Sequence, residues 1–135
     1  MAGSLVEGFD VVVGAGSLRS PSAEVTAMPH RWTDDGVTVE ADFTGAHLLH
    51  LAVAGCVLND VYREARELGI EVRGVRVHAR GAFVTTSWSS TGVVYDVELD
   101  SPAPSDDVAR LLTVVDDVAE IPRAVRTGAP VSRGG

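Results

Sequence analysis

The sequence predicts an α+β fold in which antiparallel sheets wrap around one long central helix, with a second helix near the C-terminus. Three observations predict it. One unbroken helical pattern fills residues 46–68, without proline. Runs that alternate apolar and polar residues, the period of a half-buried strand, lie on both sides of it. A second apolar stripe at 3.6-residue spacing follows Ser105. Strands, a long helix, more strands and a closing helix make one α+β domain spanning residues 1–135, without internal repeats.

Residues Met1–Ser4 read as a loose tail. Phe9–Val13 reads as a first strand, followed by a hairpin turn at Gly14-Ala15-Gly16. Ser22–Ala27 reads as a second strand. Asp34-Asp35-Gly36 is a turn signal, and Val37–Phe43 alternates as a third strand. Thr44 is a suitable N-cap for the helix that follows, and Gly69 a C-terminal stop. Ala46–Leu68 would be about 34 Å long. Leu48, Leu49, Leu51, Val53, Val57 and Leu58 place apolar side chains all round its first half, so protein is expected on every side there. From Asn59 onward only Val61, Ala65 and Leu68 hold a stripe, while Arg63, Glu64, Arg66 and Glu67 face water. The apolar run Leu48–Leu58 contains His50 and falls short of the ~20 residues a bilayer requires.

Beyond the helix, Val72–Phe83 alternates again, with a bulge expected at Gly74. Thr85–Gly92 connects it to an alternating strand, Val93–Leu99. Ser105 is the expected N-cap of the second helix, with Asp106 and Asp107 at its positive end. Val108, Leu111, Leu112, Val115, Val118 and Ala119 form its apolar stripe. Pro122 ends or kinks it. Ala129–Val131 reads as a short last strand and residues 132–135 as a loose tail.

Aromatic residues are only 5% of a chain that is 45% hydrophobic, so the core must be built from Val, Ala and Leu. Eleven basic against 19 acidic residues leave a net charge of −8, which excludes a phosphate-neutralising nucleic-acid surface and an anionic membrane surface. The N-terminus lacks the basic and apolar regions of a signal peptide, and one cysteine cannot form an internal disulfide. Both features point to a reducing cytoplasmic compartment.

That cysteine, Cys56, lies in mid-helix. A peroxide is attacked by thiolate, and burial raises a thiol pKa. The helix N-terminus is too distant to help, and Asp60, one turn on, would oppose ionisation if it pointed the same way. An arginine from another segment or subunit is therefore required. A lone helical cysteine is also common as a small core residue. His47 and His50 share one helix face at a spacing that can hold a metal, but His30 and His78 are isolated and no third ligand is placed. No metal or cofactor is expected; the two histidines are expected to line a pocket or interface beside Cys56. Gly14-Ala-Gly16-Ser-Leu-Arg19 lacks the third glycine and the helix of a dinucleotide loop. The aspartate pairs 106–107 and 116–117 read as solvated helix faces, and Trp32 and Trp88 as edge packing in turns or cover for a pocket.

The segment Leu48-Leu-His-Leu-Ala-Val-Ala-Gly-Cys56, the helix exit Ala65-Arg-Glu-Leu-Gly-Ile-Glu-Val-Arg-Gly-Val-Arg-Val77 and the C-terminal Val118-Ala-Glu-Ile-Pro-Arg-Ala-Val-Arg-Thr-Gly-Ala-Pro-Val131 occur in one order. Together they resemble the OsmC/Ohr family of thiol-dependent hydroperoxide reductases, over about residues 37–131. The resemblance implies an intertwined homodimer, with two long helices at its centre and an active site at the subunit interface. It makes Cys56 the nucleophile towards an organic hydroperoxide or another small apolar electrophile. Arg19 becomes the activator, with Arg31 as a rival. Two family positions differ: Ala119 stands where the second, resolving cysteine is expected, and Ala46 where a glutamate is expected. A sulfenic acid on Cys56 would therefore need an external thiol reductant. The alternative is a catalytically reduced relative that binds a small apolar ligand or serves a specialised biosynthetic or regulatory step. A third reading is an interaction domain without a small-molecule role.

Overall fold

The computed structural model describes residues 3–135; Met1 and Ala2, part of the expected loose tail, lie outside the described residues. In chain order the elements are β1 (Leu5–Val6), β2 (Val11–Gly16), β3 (Thr26–Met28), β4 (Val37–Glu40), α1 (Gly45–Leu68), β5 (Gly74–Arg80), β6 (Phe83–Val84), β7 (Val94–Asp100), α2 (Ser105–Val118) and α3 (Glu120–Thr127). Five strands form an antiparallel sheet in the order β3-β4-β2-β5-β7, and β1 pairs with β6.

The pairing register explains why the sheet has one dry face. It aligns Val39, Val13, Val77 and Val97 in one row, and Val37, Ala15, Val75 and Leu99 in the next. Side chains alternate along each strand, so the intervening residues point the other way. That second face carries the cross-strand ion pairs of Arg76 with Glu98 at 3.3 Å and Arg80 with Asp96, and a hydrogen bond of 2.8 Å from His78 Nε2 to Asp10, just before β2. Onto the dry face α1 lays Ala54, Val57, Val61 and Ala65, none more than 2% exposed, and α2 adds Leu111 and Val115.

The ends of α1 are closed as expected. Thr44 Oγ1 accepts from the His47 N–H at 3.1 Å. Gly69 adopts φ 69°, and the Ile70 N–H returns to the Ala65 carbonyl at 2.9 Å. Within one chain protein covers only part of its first half: Leu48 is 38% exposed, Ala52 is exposed and Gly55 half-buried. These three residues stand at i, i+4 and i+7, so one apolar stripe of the helix lies open in the single chain.

Several local expectations are corrected. Gly14-Ala15-Gly16 is the end of β2, and the turn comes after it, where the Leu18 N–H bonds to Ala15 O and the Arg19 N–H to Gly16 O. The glycines answer crowding: a Cβ on Gly14 would lie 2.4 Å from Leu18 O, and Gly16 combines φ +61° with a Cβ position 2.2 Å from Arg73 O. Gly74 makes no bulge; it pairs in register with Gly16, and a Cβ there would meet Ser17 Oγ at 2.3 Å. The second expected strand contracts to Thr26–Met28, and residues 129–131 form no strand. Ser4 is tied, its carbonyl accepting from the Thr85 N–H at 2.9 Å.

Ser105 lies inside α2; Pro104 takes the N-cap place, and its carbonyl accepts from the Asp107 and Val108 N–H groups. The break attributed to Pro122 falls three residues earlier, at Ala119, whose ψ is 118°. The ring of Pro122 would clash with the carbonyl four residues before it, that of Val118, and cannot donate to it. The chain turns at Ala119, and Pro122 then sits in the first turn of α3, where no N–H partner is required. Trp32 is half-buried with the Arg31 and Arg66 guanidinium carbons each 5.8 Å from its ring, whereas Trp88 is 67% exposed at φ 53°. Among the described residues no helix is long and apolar enough to cross a membrane.

Candidate active site

The early end of α2 places the first turn of α3 against the middle of α1, and Cys56 lies at that junction, half-buried. Its Sγ is 3.8 Å from Asp60 Oδ2, one helical turn away. One carboxylate oxygen of Asp60, one of Glu120 and the sulfur all lie within 4.8 Å of one another. Arg63 completes the group, reaching Asp60 at 3.0 Å, Glu64 at 3.0 Å and Glu120 at 3.8 Å. Asp60 is fully buried, while the Glu120 side chain is 63% exposed.

Each group feels the others. Burial pushes the Cys56 thiol up to about 11; the negative charges of Asp60 and Glu120 push the same way, against the Ile121 N–H at the start of α3. Asp60 is also raised, by burial first, with Arg63 opposing. Glu120 is lowered by its own backbone N–H and by Arg63. Within one chain, the sulfur is therefore a thiol at neutral pH, flanked by two carboxylates and lacking a cation of its own. Among the described residues, Cys56, Asp60 and Glu120 are the donor set that could hold a metal ion, but Arg63 already supplies positive charge to both carboxylates.

The other expected site residues stand elsewhere. Arg19 lies in the turn after β2, with Nε buried and unpartnered, and the groups acting on Cys56 do not include it; Arg31 is exposed beside Trp32. Within one chain neither arginine is brought to the thiol. His47 and His50 precede Cys56 by nine and six residues, about 180° and 120° around the helix from it. His47 Nε2 donates to Gly8 O at 3.1 Å, and its Nδ1 meets Thr44 Oγ1 at 2.7 Å. His50 Nδ1 donates to Ala46 O at 2.6 Å, and its ring packs against Phe9 and Phe83. His47 borders a cavity of about 470 Å³ with Gly8, Asp10 and Asp42, away from the sulfur.

Two apolar cavities flank α1. One, of about 370 Å³, lies between Val53, Val93, Tyr95, Pro122, Val125 and Arg126. The other, of about 290 Å³, opens beside Gly55 between Met28, His30, Val37, Val39 and Leu51. Sequence reasoning missed Glu120 and assigned Arg63 to solvent. The available signal for Glu120 was its place directly after Ala119, the position expected to approach the thiol.

A central helix bearing the only cysteine, held against an antiparallel sheet and met by a short third helix, defines a class of α+β proteins with one helix-borne thiol. The family model of the OsmC-like protein matches residues 34–133, and the chain belongs to that family. The crystal structure of an OsmC-like hydroperoxide resistance protein from Jannaschia sp. CCS1 shares the fold, with a TM-score of 0.57 at 14% identity, covering 94% of this chain and 93% of that one. Among curated proteins none matches the sequence.

Proposed function

We propose that this chain is a one-cysteine thiol peroxidase, in which Cys56 reduces a small organic hydroperoxide and an external thiol regenerates it. The observation that carries the reading is the position of the thiol: half-buried, where the open apolar stripe of α1 meets the first turn of α3. Membership of the OsmC-like family supports it, as does the hydroperoxide resistance named for the structural neighbour.

The chemistry runs in three balanced steps. Cys56–SH and ROOH give Cys56–SOH and ROH. A thiol R′SH then forms the mixed disulfide and releases water. A second R′SH releases Cys56–SH and R′SSR′. Ala119 cannot close an internal disulfide, so the reductant comes from outside.

A second copy of the chain completes the site in this reading. Leu48, Ala52 and Gly55, together with the exposed Phe43 (89%) and Met28 (53%), make apolar surface that a second α1 would cover. Small residues at 52 and 55 allow the two helices to approach closely. The homodimer would set Arg19 of one copy beside Cys56 of the other as activating cation. A reducing, cytoplasmic setting suits a lone reactive thiol.

The test is exposure to cumene hydroperoxide followed by intact-mass analysis. Rapid, stoichiometric addition of one oxygen to Cys56 is expected; an unchanged mass at excess peroxide overturns the reading. One observation favours a second reading, a catalytically reduced relative that binds a small apolar ligand: the thiol stands at about 11 in the single chain. Under that reading Cys56→Ser binds the ligand as well as wild type does.

A further inference from the structure

We infer that the cavity beside Gly55 is a binding site for a small apolar molecule that carries one hydroxyl group, an alcohol or a phenol. The site goes beyond the thiol chemistry proposed above and is separate from it. Leu51, Gly55 and Leu58 of its wall lie about 100–160° round α1 from Cys56.

Depth is the first feature of a built site. The cavity holds about 290 Å³ and runs inward from Met28, 53% exposed, to Val13 and Leu58, each 1% exposed. A second copy of the chain would cover the mouth at Met28 and Gly55 without filling the interior. The glycine is the second feature. Glycine weakens a helix interior relative to alanine, and nothing in the fold of one chain demands it at 55. A Cβ there would meet no neighbouring atom within 4 Å, because the space before it is open.

The third feature is a pair of buried polar atoms without a partner among the described residues. They are His30 Nε2, on the cavity wall, and the Tyr62 hydroxyl beside it, with ring centroids 5.5 Å apart. Folded proteins leave few buried polar atoms unpaired, so two together point to a missing partner. The bonds already made define its chemistry. Thr33 Oγ1 donates to the Gly36 carbonyl, which can only accept, so the same oxygen receives the proton of His30 Nδ1 at 2.8 Å. Burial lowers the His30 pKa and keeps the ring neutral at pH 7. Nε2 is then a bare acceptor that requires a donor. Asn59, which also acts on the ring, commits its Nδ2 to Asp60 Oδ1 at 3.4 Å. The Tyr62 hydroxyl has a proton to give. One hydroxyl on a ligand answers both atoms, donating to His30 Nε2 and accepting from Tyr62. The rest of the wall is mostly aliphatic, with Val13, Val37, Val39 and Leu51, so the rest of the ligand is apolar.

The test is equilibrium dialysis of the full chain at pH 7 against two probes of similar size, 2-naphthol and 2-methoxynaphthalene. The second has no proton to give to His30. Wild type is expected to hold 2-naphthol about 10-fold more tightly, the worth of one hydrogen bond to a buried group otherwise unpaired. His30→Phe keeps a ring and removes the acceptor, so it should bind the two probes alike. Gly55→Leu sends its side chain into the open space and should abolish binding of both. If that variant fails to fold, the two probes on wild type and on His30→Phe still decide. Wild type that retains no 2-naphthol, wild type that binds both probes equally, or folded Gly55→Leu that binds as wild type does overturns the site. Each of these results leaves the peroxidase reading standing, because that reading is tested by the oxidation of Cys56.

Discussion

The two sides of α1 are built on different rules. The inner side, with Ala54, Val57, Val61 and Ala65, is closed by valines of β2 and β5 in one buried apolar cluster. The outer side runs from Leu48, Ala52 and Gly55 to Cys56, Asp60 and Arg63. There the chain leaves apolar surface open and buries a carboxylate beside a sulfur. Packing alone accounts for the inner side. On the outer side exposed apolar surface and a buried carboxylate both oppose stability, and the thiol is held from ionising. Such departures from good packing mark surface reserved for a partner or for chemistry.

The largest expected effect tests the inner side. Leu58 is 1% exposed, so Leu58→Ala removes buried carbon and leaves a void, and is expected to cost about 2–5 kcal/mol in urea unfolding. A loss below about 1 kcal/mol would mean that this side is not closed.

Next comes the buried charge of the outer side. Arg63→Ala leaves Asp60 buried without its cation and is expected to cost about 1–3 kcal/mol at pH 7. The sign with pH follows from the raised pKa of Asp60. A carboxyl raised by folding favours the folded state when protonated, and that contribution is lost as pH rises through its folded pKa. Without Arg63 the carboxyl rises further, so the deficit of the variant shrinks as pH is lowered towards 4. A deficit that grows in acid would contradict the assignment.

Leu48→Glu tests the open stripe. It is expected to change single-chain stability by less than about 0.5 kcal/mol, because Leu48 is already part-exposed. In light scattering at micromolar concentration, wild type is expected at the mass of a dimer and the variant at that of a monomer. A wild-type monomer would remove the proposed partner from this face.

The same division decides what could be read in advance. The inner side and both ends of α1 were legible because Thr44, Gly69 and the apolar spacing act within a few residues of themselves. Gly14 and Gly16 were misread as a turn because their requirement comes from Leu18 and Arg73, which only the folded sheet brings close. The break at Ala119 was placed at Pro122 because a proline acts on the carbonyl four residues earlier. At the site, Cys56 and the threat from Asp60 were legible, being one turn apart. Glu120 lies 64 positions along the chain from the sulfur, and no local pattern reports such a meeting.

The smallest energetic effect bears most directly on the outer side. The alkylation rate of Cys56 against pH measures its ionisation, since thiolate is the reacting form. In dilute protein, where single chains dominate, the inflection is expected near 11, because burial, Asp60 and Glu120 all hold the proton on. The linkage has a definite sign: folding raises this pKa, so its contribution to stability is complete below the unfolded value of about 8.5 and is lost as pH rises through 11. Cys56→Ser should remove that slope between pH 9 and 11 and change little below it. If a second copy sets a guanidinium beside the sulfur, raising the protein concentration moves the inflection down, below 8.5 when the cation outweighs both carboxylates. An inflection that stays near 11 at every concentration would leave the outer side of α1 without an activating partner.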